Sequence, residues 1–447
     1  MLNQRLRKIK LYGLAWYEIL FCIVCFSFYF LWAIKKPFNY APDEYMRYDV
    51  SLFMFNNNRL PVGQETINSI WGFSYAHMPN LLLHVLNYVF MKLASLFTSN
   101  EFYILLSARM VSVLAATGII YFIIKTSKIF FDSPARWIMI SLIAFIPQFA
   151  FLASYINNDI LALLGVAIIM YSWALCTTKG LDFKICSTMA IGIGICAVTY
   201  YNSYAWILCS AVVFLVAFFI KERCNDYRLL FKYIFFMFCI VLLITGYFFV
   251  RHLIVYGDLL GFKTSRMYGN LYGLDYLKPA NGVTVAKQGI SLFQMLFGEM
   301  GWLRGTYHSF IGVFGYMQFP LPNRIYLFYK MFFAVAIIGL LCIAVEKICH
   351  KSLFKDKFMI SIIVSFIVCI IVTVALSIYN SYTVDFQAQG RYCYPALPAI
   401  AYFVAKGFEF FTKKLLPRHQ QYAFVGALCS VLAFIVVDMY ILVYLPS

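Results

Sequence analysis

Apolar stretches, each about one membrane thickness long, alternate along this chain with short polar ones. They fall at about 12–34, 103–124, 137–156, 160–177, 186–200, 203–220, 231–250, 327–345, 358–378, 393–411 and 422–444. A helix that crosses a bilayer needs about 20 mostly apolar residues, so the pattern predicts an all-α, polytopic membrane protein of about eleven spans. Residues 79–97 are also apolar but are broken by His84, Asn87 and Lys92. Counting them as a span would invert every later loop, so they are predicted to lie as an amphipathic helix at the interface.

Basic residues set the orientation. Clusters at 5–10, Lys125/Lys128/Arg136, Lys179/Lys184, Lys221/Arg223/Arg228/Lys232, Lys347/Lys351/Lys355/Lys357 and Lys413/Lys414/Arg418 recur at alternate ends of the runs. Positive-inside bias makes those ends cytoplasmic, with the N-terminus inside and the C-terminus outside. Two long loops, about 35–102 and 251–326, then share the outer face with turns at 157–159, 200–202 and 379–392. Stretches such as Ser69-Ile70-Trp71-Gly72-Phe73 and 291–297 predict that these loops carry interfacial helices. Arg5, Arg7, Lys8 and Lys10 precede the first run, but no small-residue cleavage site follows it, so an uncleaved first span is expected.

Composition narrows the class further. The 447 residues are 63% hydrophobic and 12% charged, against about 25% charged in soluble domains. No segment is long and polar enough for a separate soluble domain, so 1–447 reads as one transmembrane domain. The formal charge of +17 resides in the short basic clusters, which points to anionic lipid headgroups and not to nucleic acid. The 13 cysteines avoid both long outer loops and mostly sit in apolar runs, as small buried residues do; a disulfide framework or zinc pattern is not indicated. No Walker loop, G-x-G-x-x-G or G-x-S-x-G stands out, which disfavours a nucleotide-driven pump or a serine hydrolase. The absence of an evident internal repeat weakens an inverted-repeat transporter.

Three polar groups fall on the expected outer face. Pro42-Asp43-Glu44 follows the first span. Proline and acids suit a helix start, but a carboxylate shielded beside the membrane can also have a raised pKa and accept a proton. Asn157-Asn158-Asp159 opens a span, and three consecutive Asx residues exceed what one N-cap requires. In Gln389-Gly390-Arg391-Tyr392, Arg391 lies on the face where basic residues are depleted. A guanidinium there can fork a phosphate, and the preceding glycine would let backbone approach a ligand closely; snorkelling to headgroups is the plainer reading. Arg251, at the end of the 231–250 span, is a candidate second phosphate contact. His308 is a candidate hydrogen-bond donor, and Asn158, Gln389 and Tyr392 are candidate substrate contacts. Asp43 and Glu44 are the only residues suggested for a divalent cation, and no cofactor is required by the sequence.

These motifs resemble those of the GT-C superfamily of polytopic glycosyltransferases. Within it, Pro42-Asp43-Glu44, Asn157-Asn158-Asp159, Ser309-Phe310-Ile311-Gly312-Val313-Phe314-Gly315 and Gln389-Gly390-Arg391-Tyr392 with Pro395 resemble the bacterial membrane proteins catalogued as domain of unknown function 2142. The resemblance implies a catalytic carboxylate at Asp43 with Glu44 beside it, a second acidic site residue at Asp159, and a lipid-phosphate contact at Arg391. It implies an inverting transfer of a sugar from a polyprenyl-phosphate donor to a hydroxyl of a cell-envelope glycan, lipid or protein. The reaction would occur on the outer face of the bacterial inner membrane. An O-antigen or polysaccharide polymerase or ligase, and a lipid-linked sugar flippase, remain the alternatives.

Overall fold

A computed structural model of the chain, described here for residues 13–68, 70–222, 225–350 and 356–444, turns each of the eleven apolar runs into helix. The helices are α1 (Trp16–Lys35), α2 (Glu44–Asn57), α3 (Leu82–Ser95), α4 (Glu101–Phe130), α5 (Arg136–Phe145), α6 (Pro147–Leu152), α7 (Asn158–Lys179), α8 (Phe183–Ala197) and α9 (Tyr204–Val216). They continue with α10 (Tyr227–Tyr256), α11 (Phe262–Tyr272), α12 (Leu292–Phe297), α13 (Trp302–Ile311), α14 (Asn323–Cys349), α15 (Lys357–Thr383), α16 (Leu397–Leu415) and α17 (Arg418–Tyr444). The basic cluster at 5–10, together with Ser69, Arg223, Cys224, Lys351 and Lys355, lies outside the described residues.

Eight helical segments are long and apolar enough to cross a membrane: α1, α4, α7, Tyr201–Lys221, α10, α14, α15 and Arg418–Ile441. The other three runs differ for local reasons. Pro147, which lacks an N–H, starts α6 and splits the run 137–156 in two. The run 186–200 yields the 15-residue α8. The run 393–411 begins as a 3₁₀ turn, Gly390–Ala396, and its helix α16 carries Lys406 and Glu409. By length and composition, then, the span count is eight among the described residues, where about eleven were expected.

Burial shows which helices are central. Of its most apolar window, α7 buries 89%, whereas α10 and α14 bury 17%. Small residues allow the close crossings that hold such bundles together. A Cβ on Gly165 would meet the Gly192 carbonyl of α8, and Gly339 of α14 lies directly on the backbone of Gly407 in α16.

One end of the bundle gathers both long loops. The Leu274 amide donates to the Ile70 carbonyl at 3.0 Å, Arg251 Nη2 donates to the Pro61 carbonyl at 2.8 Å, and His77 stacks on Tyr268 at 4.1 Å. At the opposite end of α1, Glu18 pairs with Lys128 and with Arg136 Nη1 at 2.9 Å, while Glu409 pairs with Lys406 and Lys413. The segment 79–97 supplies α3, 14 residues long, or about 21 Å at 1.5 Å per residue. One side of it buries Leu83, His84, Asn87 and Met91, and the other exposes Val89 and Leu93.

Candidate active site

Asp43 sits at the N-cap position of α2, but its side chain does not cap that helix. Its backbone adopts φ +65°, a left-handed conformation that non-glycine residues hold at a cost of about 1–2 kcal/mol. The carboxylate instead accepts from Arg391 Nη2 at 2.8 Å, and the Arg47 guanidinium stands one helical turn on at 4.0 Å. Such a conformation survives only where its surroundings impose it, and here the two guanidiniums are what the strained residue reaches.

Arg391 and Arg47 are each 5% exposed. Among the described residues, Nε and Nη1 of both have no hydrogen-bond partner, although Arg391 Nη2 also donates to Tyr392 Oη at 3.1 Å and Arg47 lies over the Tyr75 ring at 4.5 Å. Two buried guanidiniums therefore present free N–H groups around one carboxylate. The second carboxylate, Asp159, is buried with neither oxygen hydrogen-bonded among the described residues, and it lies within the fields of Arg391, Arg47 and Asp43. Asn157 is the residue that caps α7, accepting from the Ile160 amide at 2.9 Å. Asn158 and Asp159 are thus spared from capping. Asn158 Nδ2 makes a long contact to the Asn80 carbonyl at 3.4 Å, and its oxygen is unpartnered.

The electrostatics follow from this packing. Burial pushes the Asp43 carboxyl up, but Arg391 and Arg47 outweigh it and hold the group below its ordinary value of 3.8. The raised pKa anticipated for a carboxylate beside the membrane is therefore absent at Asp43, because the guanidiniums dominate desolvation. Its side chain remains 30% exposed, so it is open to a ligand from the loop face.

Backbone contacts hold Arg391 in place. Gly390 lies flat against the backbone of Phe310 in α13, where a Cβ would collide, and its amide donates to Ser309 Oγ at 2.6 Å. The close approach that this glycine permits is to α13, not to a ligand. Asn202 Nδ2 donates to the Tyr392 carbonyl at 3.0 Å, and Tyr394 Oη donates to the Phe310 carbonyl at 3.0 Å. Beyond α13, Val313–Phe314 pairs antiparallel with Phe319–Pro320 in a small hairpin. Its Val313 amide donates to Gln148 Oε1 at 3.0 Å. The hairpin, α13, α6 and the Arg391 turn enclose a recess lined by Pro42, Gln148, Tyr155, Ser309, Gln389 and Arg391, among others.

Other expected residues lie elsewhere. Glu44 is fully buried in a two-point pair with Arg109, Nε to Oε1 at 2.8 Å and Nη2 to Oε2 at 3.0 Å. Arg109 also donates to the carbonyls of Ala33 and Lys36 at 2.8 Å, so Glu44 clamps the end of α1 to α4. The places suggested for it, beside Asp43 in the chemistry or sharing a cation with it, do not fit: both of its oxygens are occupied. Asp43, flanked by two guanidiniums, is a poor cation ligand, and among the described residues no three His, Cys, Asp or Glu side chains form a metal-holding group. Arg251 ties the loops together at Pro61, and His308 stacks on Tyr326 with centroids 4.0 Å apart; neither lines the Arg391 recess. Sequence reasoning missed Arg47, Tyr75, Gln148 and Tyr155. Arg47 was accessible through its spacing: four residues after Asp43, it falls on the same helical face.

A family model described as "Predicted membrane protein (DUF2142)" matches residues 59–400. The chain belongs to this family. No curated protein matches it in sequence. Among solved structures, it is similar to ArnT from Cupriavidus metallidurans, crystallised with undecaprenyl phosphate, at TM-score 0.50 and 12% identity over 95% of this chain and 70% of that one. It is also similar to the archaeal oligosaccharyltransferase AglB from Archaeoglobus fulgidus, solved with an inhibitory peptide and a dolichol phosphate, at TM-score 0.52 and 13% identity. That match covers 95% of this chain and 56% of AglB, so this chain spans little more than half of that enzyme's length. At such identities the likeness concerns the fold alone, the one expected from the sequence motifs. With eight helical segments among the described residues long and apolar enough to cross a membrane, and with its family, the chain is a multi-pass membrane protein.

Proposed function

We propose that this protein is a glycosyltransferase that moves a sugar from a polyprenyl-phosphate donor to a hydroxyl of a cell-envelope acceptor, on the outer face of the bacterial inner membrane. The observation that carries this reading is the Arg391–Asp43 pair at 2.8 Å, with unpartnered N–H groups of Arg391 and Arg47 around it. The two fold neighbours, caught with undecaprenyl phosphate and with a dolichol phosphate, support the donor class.

In this reading the donor phosphate takes the free N–H groups of Arg391 and Arg47. Attack by the acceptor oxygen on the anomeric carbon forms the new C–O bond as the bond to the phosphate oxygen breaks. The negative charge that develops on the departing phosphate meets guanidiniums already in place, which is where fixed donors lower a barrier most. The acceptor proton passes to a carboxylate. Asp43, held ionised by its arginines, is a weak base that takes the proton late in the step, while the unpartnered oxygens of Asp159 orient the hydroxyl. A single displacement inverts the anomeric configuration. Arg391 and Arg47 already face Asp43 and Asp159, so the donor phosphodiester, of charge about −1, is held by the free guanidinium N–H groups and not by a net positive charge of the site.

The test uses purified protein in liposomes, radiolabelled undecaprenyl-phosphate sugars and a crude envelope acceptor. The reading expects transfer from at least one such donor, with inversion in the product. Transfer only of a preassembled oligosaccharide from a pyrophosphate carrier would favour a polymerase or ligase instead.

A further inference from the structure

A second, open recess of about 690 Å³ lies beside α12 and α13, and it shares no lining residue with the Arg391 recess. Leu296, Phe297 and Leu303 give it apolar walls, and Glu299, Arg304 and His308 give it polar ones. Among the described residues neither Glu299 nor Arg304 has an ion-pair or hydrogen-bond partner, and Arg304 is exposed. Lys330 of α14, whose Nζ lies 5.9 Å from the ring centroid of Tyr307, acts with Arg304 on the neighbouring His308, which puts a second cation beside the recess. Beside the polar group, α12 exposes Phe293 by 70% and Phe297 by 63%, an apolar edge suited to the acyl boundary of a bilayer.

We propose that this recess binds an anionic phospholipid, with the phosphodiester on Arg304 and Lys330, headgroup hydroxyls donating to Glu299, and the acyl chains running out along Phe297 and Leu303. Guanidinium and ammonium groups near an apolar wall satisfy both halves of such a molecule at once, whereas a free phosphate would leave the wall in water. A choline headgroup offers Glu299 no hydroxyl and carries no net charge, so it fits less well. The site does not rest on the sugar-transfer reading, since it needs neither Asp43 nor Arg391.

The test is lipid retention. Protein reconstituted in nanodiscs of equal phosphatidylglycerol and phosphatidylcholine is released into mild detergent, and bound lipid is identified by native mass spectrometry. Wild type is expected to retain phosphatidylglycerol in preference by at least about fivefold. The double variant Arg304→Gln/Lys330→Gln is expected to lose that preference, while Lys287→Gln, an exposed charge elsewhere in the same loop, keeps it. Equal preference in wild type and the double variant would overturn the proposal. So that misfolding of the variant cannot obscure the answer, wild type is also labelled with photoreactive phosphatidylglycerol. Labelled peptides within 292–308 support the site; labelling that leaves 292–308 unmarked contradicts it. Asp43→Asn should retain phosphatidylglycerol as wild type does, which keeps this result separate from the outcome of any transfer assay.

Discussion

Asp43 and Glu44 are neighbours in sequence, yet their surroundings give them different tasks. Glu44 lies in a fully buried pair with Arg109, so replacing it leaves an uncompensated guanidinium. Glu44→Gln is expected to cost about 3–5 kcal/mol of stability, read as a lower melting temperature in detergent, and Glu44→Leu/Arg109→Met should recover part of it. A Glu44→Gln protein that is stable but inactive would contradict the clamp. Asp43 titrates below 3.8 because Arg391 and Arg47 overcome its burial. A depressed folded pKa contributes stability above the unfolded value and loses it as pH falls through the folded one. The acid limb of transfer is therefore expected below about pH 4, with no titration of Asp43 between about pH 5 and 8. Arg47→Gln should shift that limb upward, and an unmoved limb would show that Arg47 does not act on Asp43. Arg391→Gln should raise the KM for the donor and lower kcat, a loss of about 2.7–4 kcal/mol in transition-state stabilisation; Arg391→Lys, which cannot contact phosphate in two-point fashion, should recover only part.

At the scale of elements, two glycines set how the site is held. Gly390 lies on the backbone of Phe310, and its amide is bound by Ser309. Gly390→Ala is expected to push the Arg391 turn off α13 and to cut transfer strongly while the protein still inserts and elutes normally by gel filtration. Normal activity in that variant would show that the contact does not position Arg391. Gly407 lies on the backbone of Ala336 in α14. Gly407→Val should separate α14 from α16 and lower thermal stability, with the Asp43–Arg391 geometry unaffected in pull-downs on immobilised donor lipid. Much of this element pattern was legible in the sequence: the eleven apolar runs all became helix, since apolar length alone dictates that in a bilayer. The breaks were less legible. Pro147 stands inside the run 137–156 that was expected as one span, and the 3₁₀ start of the last polar turn and the shortness of α8 depend on packing that periodicity does not report.

For the whole molecule, the convergence of distant segments is what sequence reasoning anticipated most usefully. Asp43 and Arg391 stand 348 residues apart and meet at 2.8 Å, and Asp159 lies within the field of both. Topology carried that inference, because all three follow spans that end on one face. The expectation stopped short wherever the role depended on a partner invisible in sequence. Glu44 could not be separated from Asp43 without Arg109, and Arg251 and His308 could not be placed outside the Arg391 recess without the loop packing. The most direct measurement of the central claim is sugar transfer by wild type and by Asp43→Asn, side by side in liposomes. Each would be supplied with radiolabelled undecaprenyl-phosphate sugar, with folding checked by gel filtration and donor retention by co-purification. Loss of about 10²- to 10⁴-fold in transfer with donor retention preserved is the predicted result. Equal transfer by both proteins would contradict it and remove Asp43 from the chemistry.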